Sequence, residues 1–141
     1  MNEEEIRQVI GTMEYYKAQL ESLTEQQQII HYSLEENLRA VETLKEIGHC
    51  QTDSEILVPV GGSSFVYARV ASNEKVLVGL GSGVSVEKDI DDALRTLDTR
   101  VEELRESAER IDERRSRIEQ EHAKLSQMVQ EAYQKLQESE G

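Results

Sequence analysis

The first third of the chain places apolar residues at alternating spacings of three and four. This N-terminal seam contains Ile6, Val9, Met13, Tyr16, Leu20, Leu23, Ile30, Leu34, Val41 and Leu44, with Gln27 and Asn37 as polar interruptions. An average spacing near 3.5 residues is typical of helices that supercoil about a narrow apolar stripe. The pattern predicts an N-terminal coiled-coil helix over residues 1–48.

The last third repeats the same alternation. Its seam contains Ile90, Leu94, Leu97, Val101, Leu104, Ala108, Ile111, Ile118, Leu125, Val129, Ala132 and Leu136, interrupted by Arg115 and His122. Charged runs such as residues 109–121 keep the outer face in water. The pattern predicts a C-terminal coiled-coil helix over residues 88–141. We interpret the four polar interruptions as positions that set or loosen the helix register. We expect no metal site at His122, because it has no metal-binding partners at ligand spacing.

The middle of the chain changes to a period of two and to β-branched residues. Four short runs, residues 55–60, 64–70, 75–80 and 83–87, are separated by the turn-forming sequences GGSS, ASNE and GSG. We expect a linker over residues 49–55, and then four strands in two hairpins over residues 56–87. Pro59 lacks a backbone N–H, so its strand should be at an edge or bulged there.

Folding the two helices back on each other gives the simplest arrangement of these parts. The predicted fold is α+β, a long antiparallel two-helix coiled coil with the four-stranded, two-hairpin β segment at the joined end. Pairing Leu44 with the Ile90 region brings Met13 near His122 and Ile6 near Val129. Helices of this length would project roughly 60 to 70 Å, with both chain termini at the free tip.

The glycine-rich stretch from Val76 to Leu94 has some features of a phosphate-binding loop. Gly79, Gly81 and Gly83 match neither the dinucleotide fingerprint nor the P-loop spacing. Residues 84–86 alternate as a strand does, and helical spacing starts only around residues 89–90. The glycines are therefore expected at a turn between two strands, and we predict no nucleotide or other cofactor.

Composition narrows the functional class further. The 141 residues include 4% aromatics and no Trp, which favours an extended architecture over a thick core. A net charge of −13 disfavours nucleic acid and anionic membranes as partners. The lone Cys50 suits a reducing compartment, and no apolar run suggests a signal peptide or membrane span, so we expect a cytoplasmic protein. No catalytic constellation is evident, so we do not expect an enzyme.

The β segment is too small and too apolar to be stable alone. Val66 and Val70 point to one face while Phe65 and Tyr67 point to the other, and Val76 and Val78 oppose Leu77, so both faces need cover. Edge strands pair readily with other chains, and closure into a barrel removes the edges. We predict an obligate oligomer formed through Leu57, Val58, Val60, Phe65, Val66, Tyr67, Val70, Val76, Leu77, Val78, Leu80, Val84 and Val86.

Two coiled-coil helices flanking LVPVGGSSFVYARV and VLVGLGSGVSVEKDIDDAL resemble the α-type subunit of prefoldin, the archaeal form in particular. The layout matches over essentially the whole chain, whereas the specific signal lies between Leu57 and Leu94. The resemblance implies a hexamer of two α-type and four β-type subunits, with hairpins forming a β-barrel platform. It further implies ATP-independent holding of unfolded proteins and their delivery to a group II chaperonin.

A chaperone that holds unfolded chains needs accessible apolar surface. At the free tip we expect Ile6, Val9, Ile10, Met13, Met128, Val129, Tyr133 and Leu136 to contact clients, since Met is deformable and fraying exposes the seam. A purely structural role of these residues in covering the seam is an equal alternative. Tyr15, Ile29 and Tyr32 also fall at outward positions and would extend the contact. The alternative function is a coiled-coil tether that dimerises through its β segment without holding clients.

Overall fold

The computed structural model describes residues 1–140 as two long helices flanking four strands. In chain order the elements are α1 (Glu3–His49), β1 (Glu55–Gly61), β2 (Ser64–Arg69), β3 (Lys75–Gly81), β4 (Val84–Asp89) and α2 (Ile90–Glu140). The predicted α+β class, with two coiled-coil helices around two hairpins, is confirmed. The boundaries differ slightly: α1 extends to His49, and α2 begins at Ile90 rather than residue 88.

Both helices start at residues that suit a helix N-terminus. Asn2 caps α1, because its side-chain oxygen accepts a hydrogen bond from the Glu5 N–H at 2.8 Å. Acidic residues occupy the first turn of each helix, with Asp91 and Asp92 in α2. Their negative charge favours the positive end of the helix dipole. The second helix begins immediately after β4, with no linker between strand and helix.

The strands form two separate antiparallel hairpins, β1–β2 and β3–β4, called here the first and second hairpin. Each closes with a two-residue turn whose central residues have positive φ, Gly62 and Ser63 in one and Ser82 and Gly83 in the other. Positive φ at both positions is typical of the type I′ turn, whose twist matches that of the flanking strands. The glycines at residues 79–83 therefore belong to a hairpin, as predicted.

Irregular pairing precedes both turns. The register of the first hairpin shifts between Pro59 and Gly61, so the irregularity follows Pro59, which itself pairs with Phe65. The second hairpin shifts between Gly79 and Gly81, where Gly81 has φ +98°. A backbone of this kind is accessible to glycine and strained for any residue with a Cβ.

Backbone hydrogen bonds close the first hairpin at the end away from its turn, and an ion pair closes the second. The Asp53 N–H donates to the Val70 carbonyl at 2.7 Å, and the Val70 N–H donates to Ser54 at 3.0 Å. The Lys75 ammonium lies 2.5 Å from the Asp89 carboxylate, joining the first residue of β3 to the last residue of β4. That hydrogen bond, reinforced by the carboxylate charge, raises the pKa of Lys75 above its ordinary value of 10.5.

The chain divides into two compact units. The hairpin unit comprises residues 33–104 and contains both hairpins; its buried apolar residues are Val41, Val70, Val78, Ile90, Ala93, Leu97 and Val101. Val78 lines a shared cavity with Leu44 and Leu97, and Arg100 donates to the Gly79 carbonyl at 2.7 Å. The second hairpin is therefore packed against helical residues within this unit.

The helical unit comprises residues 1–32 together with the residues from 105 onward. Its buried apolar residues are Ile6, Leu23 and Ala132. The two helices also meet through polar side chains. The Gln27 amide donates to Asp112, and the Arg115 guanidinium donates to the Gln27 oxygen at 2.8 Å. This Gln27 layer supports the interpretation of Gln27 and Arg115 as register-setting positions.

The predicted helix register is wrong by about one turn. A Cβ on Gly48 would lie 3.6 Å from the Ile90 side chain, so Gly48 rather than Leu44 faces Ile90. In the helical unit, the predicted pairing puts Gln27 opposite about residue 108, whereas its side chain contacts Asp112 and Arg115. The prediction paired Ile90 with Leu44, the last apolar residue of the seam, whereas the helix turn after Leu44 lies against Ile90. Ile90 consequently packs on the last turn of α1.

Candidate functional site

The first hairpin exposes apolar side chains on both of its faces. Cross-strand partners share a face, and successive residues alternate between faces. Leu57 pairs with Tyr67 on one face, and Val58 pairs with Val66 on the other. All four are exposed, Tyr67 to 76%. Apolar side chains on both faces of this hairpin are therefore exposed; the face with Val58 becomes half-buried only near the base, at Ile56.

The second hairpin has one covered face and one open face. Val78 is only 6% exposed, whereas its neighbour Leu77 is 73% exposed. The covered face is further held by the Lys88 ammonium, which donates to the Thr96 hydroxyl at 3.1 Å. Around Leu77 the open face carries polar and charged residues, including Glu87, its cross-strand partner. The two hairpins thus present different chemistry to a partner.

Most of the predicted oligomerisation residues are on the surface. Those exposed are Leu57, Val58, Val60, Phe65, Val66, Tyr67, Leu77, Leu80, Val84 and Val86. Val70 and Val78 are buried within the chain, and Val76 is half-buried. These three residues stabilise the hairpin unit itself. The ten exposed residues form what we call the open hairpin surface, whose role in assembly stays a prediction.

The predicted client-contact residues differ strongly in accessibility. Ile6 is buried, while the seam residues Val9, Met13, Val129 and Leu136, and Ile10 beside the seam, are half-buried. Met128 and Tyr133 are exposed beside the seam of α2. Within the helical unit, these two side chains are the most exposed members of the predicted set, at 44% and 50%.

Sequence reasoning missed some residues with exposed or cross-helix side chains. Leu38, which lies beside the seam position Asn37, is exposed, and Met1 is exposed as well. Asp112 joins the Gln27 layer from a position directly after the seam residue Ile111. A carboxylate next to an interrupted seam was the available signal for Asp112, because it can reach a polar residue on the facing helix.

The described residues contain neither a metal-binding cluster of side chains nor a membrane-spanning helix. Across residues 1–140, no group of three or more His, Cys, Asp or Glu side chains is arranged to hold a metal ion. No helix in this part of the chain is long and apolar enough to cross a bilayer. The Cys50 thiol donates to the Ile47 carbonyl at 3.2 Å in a half-buried position.

Comparison with known proteins identifies the relatives of this arrangement. A family profile described as Prefoldin subunit matches residues 16–135. Prefoldin subunit alpha of Methanopyrus kandleri is 46% identical over 79 residues, which are 56% of this chain and 50% of the relative. The matched region therefore spans about half the length of that relative. Prefoldin subunit alpha of Methanosarcina barkeri is 35% identical, over 74% of each chain.

A solved structure shows the same fold. A chain in the cryo-EM structure of filamentous PFD from Methanocaldococcus jannaschii superposes with a TM-score of 0.69 at 22% sequence identity. The match covers 89% of this chain and 98% of that chain. At this identity the likeness concerns the arrangement of helices and hairpins, and the alpha-subunit relatives carry the family assignment.

Proposed function

Because the chain belongs to the prefoldin family, we propose that it acts as the α-type subunit of an ATP-independent chaperone that binds unfolded proteins. Family membership supports a chaperone role in general. In the proposed mechanism, the hairpins assemble the complex, while the ends of the helices near the chain termini hold clients. The complex then passes its clients to a group II chaperonin in the cytoplasm.

The observation that carries the assembly step is the exposure of apolar residues on both faces of the first hairpin. A two-stranded hairpin that exposes apolar side chains to water on both faces has marginal stability. Burial of this surface against strands of other subunits removes it from water and satisfies the strand edges at once. We propose β-type prefoldin subunits as the partners, in a hexamer of two α-type and four β-type chains whose hairpins close into barrels.

Client holding needs apolar side chains that stay accessible after assembly. Met128 and Tyr133 meet this requirement in the helical unit, and the half-buried seam residues around Met13 would add to it if the helix ends fray. A thioether and an aromatic ring adapt to clients of varied shape. Ile6 would contribute only after local opening of the helices, since it is buried.

Dilution of a chemically denatured model protein into the purified assembly tests this proposal. Light scattering should fall in proportion to the amount of assembly, without ATP and for several unrelated clients. Substitution of both exposed residues, Met128→Gln with Tyr133→Gln, should reduce the protection while leaving the native mass unchanged. Exposed Gln26→Ala with Gln130→Ala serves as the matched control and should protect like the unmodified chain. Full protection by the Met128 and Tyr133 variant would refute their role in client binding.

A tether between two folded partners is the second candidate. The Gln27 layer favours it, because a fixed register suits a rigid spacer. The same scattering assay separates the two functions. Protection of unrelated clients supports the chaperone, whereas no protection together with tight binding of one folded protein supports the tether.

A further inference from the structure

The outward faces of the two helices differ within the helical unit. Outward positions lie farthest from the seam, one, two and five residues after the first residue of each heptad. Between Gly11 and Tyr32, the outward positions of α1 hold three glutamates and three large side chains, Tyr15, Ile29 and Tyr32. The outward positions of α2 between residues 105 and 140 are polar apart from Ala123, with Glu113, Gln120 and Lys124 as examples.

The three large side chains on α1 are strongly exposed. Tyr15 is 60%, Ile29 67% and Tyr32 63% exposed. Ile29 and Tyr32 are one turn apart and therefore neighbours on the helix surface. Tyr15 lies about 21 Å away along the helix axis, at 1.5 Å per residue. Its hydroxyl accepts a hydrogen bond from the Gln19 amide at 2.9 Å, which fixes one end of this surface.

Negative charge lies between and beside the exposed apolar groups. Residues 11–32 contain Glu14, Glu21 and Glu25 against a single Lys17. Glu21 and Glu25 are four residues apart, so their carboxylates are close enough to repel each other. A cationic group placed near them would relieve this repulsion. The surface thus combines two apolar ends with an acidic centre.

We propose that this outward surface of α1, from Tyr15 to Tyr32, binds an extended segment of an unfolded client in which two apolar side chains flank basic residues. The apolar anchors should be about six residues apart, because an extended chain covers about 3.3 to 3.6 Å per residue. The inference rests on the proposed function, since it names a second binding surface for the same clients. This surface would select basic client segments through its glutamates, whereas the uncharged side chains of Met128 and Tyr133 cannot select by charge.

Three labelled peptides test the inference with the full-length chain in its native assembly. The first carries Ile and Phe six positions apart with two Lys between them; the second replaces Lys by Glu, and the third replaces Ile and Phe by Ser. Fluorescence anisotropy should show tightest binding of the first peptide, weakened by added salt because the exposed charges are screened. Equal binding of all three peptides would overturn the inference.

Variants locate the binding surface. Ile29→Gln with Tyr32→Gln should weaken binding of the first peptide at least about tenfold, since two exposed anchors lose their apolar contacts. Glu21→Gln with Glu25→Gln should remove the preference for Lys over Glu. All four positions are exposed on α1, so circular dichroism should show unchanged helix content. Gln120→Ala with Gln134→Ala, at exposed outward positions of α2, is the matched control and should change binding of this peptide less than about twofold.

The outcomes separate this inference from the proposed function. If Ile29→Gln with Tyr32→Gln binds the first peptide like the unmodified chain, the inference is wrong, and protection of clients by the unmodified assembly would still support the chaperone. If the unmodified assembly protects no client, the proposed function is wrong. If the first peptide still bound at Ile29 and Tyr32 in that case, this surface would be a docking site for one specific partner.

Discussion

Single glycines in the second hairpin have different mechanical roles. Gly81 has φ +98°, whereas Gly79 has no positive φ, and a Cβ at either position would meet nothing within 4 Å. Any difference between alanine substitutions at these two positions therefore reports backbone conformation alone. Comparing the two substitutions also shows whether glycine is needed for its backbone conformation or for the space that its missing side chain leaves.

We expect Gly81→Ala to lower the free energy of unfolding by about 1 to 3 kcal/mol, because alanine is strained at this positive φ. Gly79→Ala should change the free energy of unfolding by less than about 0.5 kcal/mol, because Gly79 has no positive φ and alanine can adopt the same strand backbone. Urea unfolding of the two variants at equal protein concentration measures the difference. Equal losses would show that φ does not explain the requirement for glycine.

At the scale of elements, periodicity predicts the structure well. All seam residues from Ile6 to Leu44 and from Ile90 to Leu136 are buried or half-buried, and both hairpins lie where the period changes to two. The helix register was not predictable, because a heptad pattern looks the same after a slip along the seam. Gly48 and Gln27 carry the missing information through contacts between distant parts of the sequence.

Prediction of the candidate site is limited by the same kind of long-range packing. Alternation in β3 correctly separates Leu77 from Val78, but it does not say which of the two faces packs on the helices. That choice depends on Leu44, Leu97 and Arg100, which are far away in the sequence. Exposure of both faces of the first hairpin follows directly from the pattern, because no polar face exists to distinguish them.

Replacing the polar layer with leucines, Gln27→Leu with Arg115→Leu, should raise the melting temperature and loosen the register. Leucines pack well in the seam, yet they no longer distinguish the native pairing from a slip of one heptad. In a Cys50→Ser background, cysteines at Met13 and Leu125 should crosslink in the native register, and cysteines at Met13 and Ile118 in the slipped one. We expect the second crosslink only with the two leucines; its absence there would show that the seam fixes the register by itself.

On the scale of the whole molecule, charge and apolar surface act in opposite directions. The net charge of −13 opposes the approach of identical chains, while the open hairpin surface favours association. The hairpins concentrate apolar area into a short segment, so burial there can exceed the repulsion between acidic helices. This balance favours a less acidic partner subunit over self-association.

The native mass of the chain, alone and mixed with a β-type prefoldin subunit, tests most directly whether the open hairpin surface is an assembly surface. Mass spectrometry under non-denaturing conditions should find the chain in complexes, with two α-type and four β-type chains in the mixture. Phe65→Ser with Tyr67→Ser should shift this population to smaller species. A folded monomer at micromolar concentration, with the partner as well as without it, would contradict the account.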